Sequence, residues 1–212
     1  MTGQMQVRVG LRERKRQRTL SEIQRVALDL FQRQGYEATT IEQIAEEAEV
    51  SPSTVFRYFP TKEDLVLNDE YDPVILAAIA AGPPDESPVA AMRRALIATL
   101  VDANRGDRAE VFNDMLSRGR LMLGVPELRA RLWDSLHQNE AVLCQVFAAK
   151  SGRPANDFEL RVAVGAIIGG LMTALSDWIE SDGRSDMVEL VDKALGLLES
   201  GIGGMGAAKS SH

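Results

Sequence analysis

The chain has 212 residues and a formal net charge of −7; 45% of its residues are hydrophobic and 26% are charged. These values are ordinary for a folded globular protein and exclude collagen-like, low-complexity and strongly charged disordered chains. Cys144 is the single cysteine, so an intrachain disulfide is excluded. The longest uncharged apolar run, residues 162–176, is shorter than a membrane span, which predicts a cytoplasmic protein without a membrane partner.

The charge is distributed unevenly along the chain. Residues 1–62 hold ten Lys or Arg and eight Asp or Glu, a balance of +2, whereas residues 63–212 hold fourteen and twenty-three, a balance of −9. Six of the basic residues fall within the first eighteen. We therefore expect residues 1–15 to form a basic, flexible arm that neutralises phosphates next to a nucleic-acid site. The alternative is a disordered solubilising tail, and the two are compatible, because such an arm is disordered until it meets DNA.

The rest of the chain predicts an all-α fold, because no convincing alternating strand is present. A first amphipathic helix ends at Gly35, a residue that favours a helix C-terminus. Its apolar face comprises Leu20, Ile23, Val26, Ala27, Leu30 and Phe31.

Residues 40–59 predict two short helices joined by a tight turn. Thr40 is a good N-cap, and Gln43 three residues later completes a capping box. Ser51 and Pro52 provide an N-cap and a first helical position for the second helix. This arrangement is typical of a helix-turn-helix, whose second helix can enter a DNA major groove.

The alternative to DNA binding is a plain helical hairpin in a core. The second helix favours DNA binding, because Val55 and Phe59 share one face while small hydroxyl residues, Arg57 and Tyr58 lie elsewhere. Such side chains suit phosphate oxygens and base edges.

The chain from about residue 16 to residue 77 resembles the DNA-binding domain of TetR-type transcriptional regulators. The matching residues are ALDLFQRQGYEATTIEQIAEEAEVSPSTVFRYFPTKEDL. The resemblance implies a three-helix DNA-binding domain over 16–77, a homodimer that binds a double-stranded operator, and a separate helical domain for a small effector. The DNA-facing residues that it implies are Thr40, Ser51, Pro52, Ser53, Thr54, Phe56, Arg57, Tyr58 and Lys62.

Two residues depart from the family pattern. Glu49 stands where the family usually has Gly in the turn, so a left-handed conformation there would cost about 1 kcal/mol. Phe56 stands where Tyr is frequent, which removes a hydroxyl that could bind a phosphate.

Beyond the helix-turn-helix, Thr61 predicts the start of a helix that runs from Lys62 toward Ala80, with a kink at Pro73. Residues 81–88 predict a loop. Glycine and proline then separate helices predicted at about 88–103, 107–122, 126–150, 157–181 and 185–199. We expect a ligand-binding and dimerisation domain over 78–200 and a flexible tail over 201–212.

The segments SRGRLMLGVPELRARLW, FAAKSGRPANDFE and ALSDWIESDG are similar to TetR-type proteins whose C-terminal domain binds acyl-CoA-like ligands, a group that includes the regulator of mycofactocin genes. This resemblance implies a long-chain acyl-CoA or a related apolar effector.

Apolar and aromatic residues on these helices are candidates for an effector pocket, although each also suits an ordinary core. Met92, Met115 and Met122 fit an adaptable pocket or a loose core equally well. His137 either binds a ligand or is a satisfied helix histidine. The candidate pocket residues are Leu96, Phe112, Met115, Leu116, Trp133, Leu136, His137, Phe147 and Met172.

Two late helices predict a dimer interface, with packing inside one subunit as the alternative. Three glycines lie within one apolar helix, where each costs about 1 kcal/mol relative to alanine, and close helix approach or space for a ligand would explain them. Two such helices per subunit would form a four-helix bundle, as in the family. The candidate interface residues are Gly165, Gly169, Leu171, Leu175, Val188, Val191, Leu195 and Leu198.

Enzymatic and metal-binding functions have little support, and no cofactor, metal site or catalytic residue is predicted. Residues 201–206 match the dinucleotide pattern GxGxxG, but they follow a helix and only six residues remain after them. Cys144 lies in an apolar helical run, which indicates a buried residue rather than a redox switch. We expect a ligand-responsive repressor; the alternatives are an activator of the same fold and an acyl-thioester-binding enzyme or carrier.

Overall fold

The computed structural model describes residues 11–68, 72–103 and 108–201. Over these residues the chain forms ten α-helices and no strand, which confirms the all-α prediction. The helices are α1 (Leu11–Gln34), α2 (Ile41–Glu47), α3 (Pro52–Tyr58), α4 (Asp64–Leu67), α5 (Asp72–Ala80), α6 (Pro88–Ala103), α7 (Arg108–Gly124), α8 (Pro126–Ser151), α9 (Phe158–Glu180) and α10 (Met187–Ser200).

The helix boundaries follow local capping signals. Pro126 begins α8, and Gly152 ends it in a left-handed conformation with φ of +71°. The Asp157 carboxylate accepts a hydrogen bond from the Leu160 amide at 2.9 Å and caps α9. The five helices predicted between residues 88 and 199 agree with α6 to α10 within about two residues, because each boundary depends on residues close in sequence.

The helix predicted from Lys62 toward Ala80 is not continuous. It divides into α4 and α5, and Asn68 adopts an extended conformation. The buried Gln24 explains the end of α4, because its side-chain amide donates hydrogen bonds to the carbonyl oxygens of Leu65 (3.0 Å) and Asn68 (2.7 Å). A continuing helix would use such carbonyls for its own hydrogen bonds.

The described residues up to Asn68 form one compact unit, unit 1. In this unit α1 packs against α2 and α4, and α2 packs against α3. Helix α1 begins at Leu11, so the last five residues assigned to the basic arm are helical, and residues 1–10 lie outside the described part of the chain. The buried side chains include Ile23, Val26, Leu30, Phe31, Ile44, Val55, Phe59 and Leu65.

The described residues from Asp72 onward form a second compact unit, unit 2. Helix α9 is its central element and packs against α6, α7, α8 and α10, with Trp178 fully buried. Helix α5, of which residues 72–77 fall in the predicted domain 16–77, packs against α6 and α8 in this unit. The expected tail lies outside the described residues, except for Gly201.

Helix α9 has the length and apolar composition of a membrane-spanning helix. A single helix of this kind is weak evidence, because the central helix of a soluble protein can have the same properties.

Candidate DNA-binding and effector-binding sites

The helix-turn-helix of unit 1 is held by reciprocal caps. The Gln43 amide donates to the Thr40 hydroxyl at 3.2 Å, and the Thr40 amide donates to the Gln43 side chain at 2.9 Å, which completes the predicted capping box. Ser51 caps α3 by accepting a hydrogen bond from the Thr54 amide at 3.2 Å. These bonds fix the ends of two helices that are too short to be stable alone.

Helix α3 buries one face and exposes the other. Val55 and Phe59 are fully buried, which anchors the helix in the core of unit 1. Thr54, Tyr58 and Lys62 are partly buried, whereas the remaining candidate DNA-facing residues are exposed: Thr40, Ser51, Pro52, Ser53, Phe56 and Arg57. The exposed face therefore carries hydroxyl groups at its start and a guanidinium near its end.

Two arginines approach the ring of Tyr58. The guanidinium carbon of Arg57 lies 5.2 Å from the ring centroid, and that of Arg16 lies 6.0 Å from it. Arg16 belongs to α1, so this contact brings positive charge from another helix to the end of α3. The sequence pattern had placed Arg16 only within a basic stretch.

Lys62 is directed inward rather than toward solvent. Its ammonium donates a hydrogen bond to the Tyr36 carbonyl oxygen and lies 4.3 Å from the Tyr36 ring centroid and 5.7 Å from that of Phe31. Burial lowers the pKa of Lys62. The charge of this candidate DNA-facing residue therefore ties the segment before α4 to Phe31 of α1 and to Tyr36 just after α1.

A cavity of about 320 Å³ lies within unit 2, between α5, α6, α7, α8, α9 and α10. Its volume falls in the range of pockets that bind small molecules. Most of its lining is hydrocarbon or thioether, and five of the eight methionines in the chain line it: Met92, Met115, Met122, Met172 and Met187. Methionine side chains adapt to irregular ligand shapes.

The candidate pocket residues occupy three kinds of position. Leu96, Met115, Leu136 and Met172 line the cavity. Phe112 packs edge-on against Trp178, Leu116 and Phe147 are buried, and none of these three residues is part of the cavity lining. Trp133 is 64% exposed, and His137 is exposed with its Nδ1 bonded to the Trp133 carbonyl oxygen, so both are surface residues of α8. The periodic pattern did not identify Arg118 and Asn139, which do line the cavity.

Helices α9 and α10 present an exposed apolar face. Phe158 and Val162 on α9 and Leu197 on α10 are exposed. Exposed Gly165 and Gly169 leave open space where a Cβ would lie. A groove of about 250 Å³ lies between α9 and α10, and its lining includes Leu197, Leu198, Asp177 and Lys193.

The other candidate interface residues point elsewhere. Leu171, Leu175 and Val191 line the cavity, and Leu195 is fully buried inside unit 2. Val188 is partly buried and packs against the same core. These five residues therefore face the interior of unit 2 in the single chain, and their assignment to a dimer interface stays a prediction.

Cys144 is buried, and this burial raises the pKa of its thiol, which disfavours the reactive thiolate. Among the described residues, no group of three or more His, Cys, Asp or Glu side chains is arranged to hold a metal ion.

Comparisons with protein families identify both units. Residues 23–68 match the family model described as bacterial regulatory proteins of the tetR family, and residues 86–203 match the MftR C-terminal domain. The second match covers more than half of the chain.

Two curated relatives are transcriptional regulators. The chain is 38% identical over 151 residues to the HTH-type transcriptional regulator TcmR of Streptomyces glaucescens, covering 70% of this chain and 67% of the relative. It is 26% identical over 195 residues to the putative mycofactocin biosynthesis transcriptional regulator MftR of Mycobacterium tuberculosis, covering 92% and 95% of the two chains.

Solved structures share the fold. The fatty acid degradation regulator FadR of Bacillus halodurans aligns with a TM-score of 0.56 at 21% identity, covering 88% of this chain and 96% of that one. FadR of Thermus thermophilus, a TetR family repressor in complex with lauroyl-CoA, aligns with a TM-score of 0.52 at 22% identity, covering 91% and 98%. The chain therefore belongs to the TetR family of bacterial transcriptional regulators, with a C-terminal domain of the MftR type.

Proposed function

We propose that this regulator is a repressor that binds a palindromic operator as a homodimer and is released when a small apolar effector enters the cavity of unit 2. The observation that carries the proposal is that cavity, lined almost entirely by apolar side chains, in a chain whose other unit is a helix-turn-helix. A regulator with no effector would gain stability by filling such a space.

The proposed operator contacts follow from exposure and chemistry. Arg57 and the hydroxyl residues from Ser51 to Thr54 read base edges, and Thr40 and Tyr58 bind phosphates. The position of Arg16 next to Tyr58 supports an additional phosphate contact from α1.

The proposed dimer interface is the exposed face of α9 and α10. A two-fold axis places the same patch of both subunits in contact, so a residue of one subunit can pair with a different residue of the other. The groove on this face contains Asp177 and Lys193, whose opposite charges can pair across such an axis. The exposed Gly165 and Gly169 allow close approach of two α9 helices.

In the proposed mechanism, the effector changes the distance between the helix-turn-helix units of the two subunits. Successive major grooves on one side of DNA recur every ~34–36 Å. If the distance between the two helix-turn-helix units changes by a few ångströms, the second unit no longer fits its half-site. The effector then lowers the affinity for the operator by the same factor by which the operator lowers the affinity for the effector.

A long-chain acyl-CoA or a similar apolar molecule is the proposed class of effector. The MftR-type C-terminal domain and the apolar lining support this class. Lauroyl-CoA in the Thermus thermophilus structure makes such compounds the first to test. An activator of the same fold would bind its operator more tightly, not less, when the effector is present.

Selection of genomic DNA by the purified full chain tests this function. At ~150 mM salt, which suppresses non-specific phosphate binding, we expect enrichment of a palindromic site and loss of that enrichment when acyl-CoA is added. Arg57→Ala is the matched variant, with an expected loss of ~1–3 kcal/mol in operator binding and a relaxed base preference. Enrichment of unpaired half-sites, or stronger binding with the effector, would contradict the repressor proposal.

A further inference from the structure

Phe56 is a large apolar side chain on the exposed side of α3. Its exposed fraction is 49%, whereas Val55 and Phe59, the residues on either side of the same helical turn, are fully buried. Among the described residues of unit 1, the other exposed large apolar side chain is that of Leu11, where α1 begins. The core of unit 1 therefore does not require a phenylalanine at position 56.

The exposed side of α3 carries two parallel rows of side chains. Residues four positions apart lie on the same side of an α-helix. Pro52 and Phe56 therefore form an apolar row, and Ser53 and Arg57 form a polar row beside it; all four residues are exposed. Because the second helix of a helix-turn-helix enters the major groove, the apolar row meets DNA together with the guanidinium of Arg57.

The apolar row needs a different partner in DNA from the polar row. A phenyl ring has no hydrogen-bond donor for a phosphate oxygen, and the face of the ring is electronegative, so a phosphate is an unfavourable neighbour. The C5-methyl group of thymine is the apolar feature of the base edges in the major groove, and phenylalanine is one of the side chains that contact it. Since Phe56 lacks the hydroxyl of a tyrosine, its ring is left to contact a base.

We infer that Phe56 is a specificity-determining residue that contacts a thymine methyl group in each half-site of the operator. This thymine lies at or next to the base pairs that Arg57 reads, because the two side chains are neighbours on α3. The inference rests on the operator binding of the proposed function, but it involves neither the effector nor the direction of regulation.

Deoxyuridine tests the inference, because it pairs with adenine as thymidine does and lacks only the C5-methyl group. In duplexes of the selected operator, deoxyuridine replaces thymidine at one position of both half-sites at a time. Binding of the full chain is measured by fluorescence anisotropy at ~150 mM salt. At one position the replacement should weaken binding about fourfold per half-site, the factor that corresponds to one buried methyl or methylene group, and about fifteenfold for both.

Variants of the chain identify the residue that contacts the methyl group. Phe56→Ala should weaken binding of the thymine operator and should bind the thymine and deoxyuridine duplexes equally. Phe56→Tyr keeps the ring and should retain the preference for thymine. Arg57→Ala should bind both duplexes more weakly, with the same preference as the unmodified chain. Trp133→Ala, which removes an exposed aromatic side chain of unit 2, is the matched control and should bind both duplexes as the unmodified chain does.

Two further measurements separate a base contact from other effects of Phe56→Ala. Its thermal unfolding midpoint should be close to that of the unmodified chain, because the ring lies outside the core. The slope of its operator affinity against salt concentration, both on logarithmic scales, should be unchanged, because no phosphate contact is lost. A smaller slope would place Phe56 at the phosphate backbone and would overturn the inference.

The inference is also overturned if deoxyuridine has no effect at any position, or if Phe56→Ala keeps the preference for thymine. If deoxyuridine has no effect while acyl-CoA releases a palindromic operator, the repressor proposal stands and this inference fails. If the preference for thymine depends on Phe56 and acyl-CoA strengthens operator binding, this inference stands and the repressor proposal fails.

Discussion

Glu49 has a left-handed backbone conformation, with φ of +53°, in the turn between α2 and α3. Its amide donates to the Glu46 carbonyl oxygen at 3.1 Å, and the next amide, that of Val50, donates to Ala45 at 2.9 Å. These bonds hold the turn in place despite the steric cost at a residue with a Cβ. Glu49 thus stands where the family usually has Gly, at a position whose positive φ strains any residue with a Cβ.

We expect Glu49→Gly to stabilise unit 1 by about 1 kcal/mol, because glycine adopts positive φ without the Cβ clash. Glu46→Gly, at an exposed helical position of α2, should instead destabilise it by about 1 kcal/mol. Denaturant unfolding of both variants measures the difference. Equal destabilisation by both substitutions would show that the turn is not strained at Glu49.

Lys62 is a second residue whose role depends on its surroundings. Lys62→Met keeps the apolar stem but removes the hydrogen bond to the Tyr36 carbonyl and the contact with its ring. We expect a loss of about 1–3 kcal/mol in the stability of unit 1. Lys15→Met, at an exposed position of α1, should change stability by less than about 0.5 kcal/mol. Equal unfolding midpoints for the two variants would indicate that Lys62 serves only to contact DNA.

Among the elements of unit 2, the C-terminal end of α5 is held by a cluster of charges. Lys150 of α8 donates to the Ile79 carbonyl oxygen at 2.8 Å, and Arg94 of α6 donates to that of Ala78 at 3.2 Å. Arg94 also binds the Glu86 carboxylate at 2.9 Å. Cations near helix carbonyls stabilise the negative end of the helix, so the cluster joins three helices and the loop before α6.

Glu86→Gln should destabilise unit 2 by about 2 kcal/mol, because it removes the anion that binds the 40% exposed Arg94 and lies beside Lys150, a cation with little access to water. The side chains of Glu86 and Lys150 are only 14% and 11% exposed. Glu22→Gln, which breaks a half-exposed ion pair with Arg25, should cost less than about 1 kcal/mol. Thermal unfolding compares the two variants, and similar losses would contradict the cluster's stabilising role.

The same carboxylate predicts a dependence on pH. The hydrogen bond from Arg94 lowers the pKa of Glu86 in the folded chain. Its contribution is therefore fully present above the ordinary glutamate pKa of about 4.3 and is lost as the pH falls through the lowered value. The difference in stability between the unmodified chain and Glu86→Gln should shrink over that acidic interval.

For the whole molecule, the proposed dimerisation through α9 and α10 determines whether the two helix-turn-helix units bind the operator together. Leu197→Glu places a charge on a residue that is 38% exposed in one chain but lies in the proposed interface. We expect this variant to be monomeric in analytical ultracentrifugation. Its operator affinity should fall by at least about a hundredfold, because the two helix-turn-helix units are no longer linked and bind their half-sites independently. Trp133→Glu alters an exposed aromatic residue of α8 and should leave the dimer intact. Dimers of Leu197→Glu at micromolar concentration would place the interface elsewhere.

Local features of the chain could be predicted because their causes lie within a few residues. The capping box of Thr40 and Gln43, the start of α3 at Pro52 and the end of α1 before Gly35 all arise from neighbouring groups. The break after α4 could not be predicted, since it depends on Gln24, which is more than forty positions away in sequence.

The sequence by itself determined the all-α fold and the helix-turn-helix, because periodicity, caps and turn residues act over one or two helical turns. It also carried the resemblance to the TetR family, through the residues of the helix-turn-helix segment. Only the tertiary structure decided how each helix of unit 2 is rotated about its axis. That rotation puts Leu136 and Asn139 of α8 into the cavity and leaves Trp133 and His137 in solvent. It also turns Val191 and Leu195 inward and exposes Leu197. An apolar stripe indicates that a helix packs against other elements. Which of its residues are buried depends on the positions of the neighbouring helices.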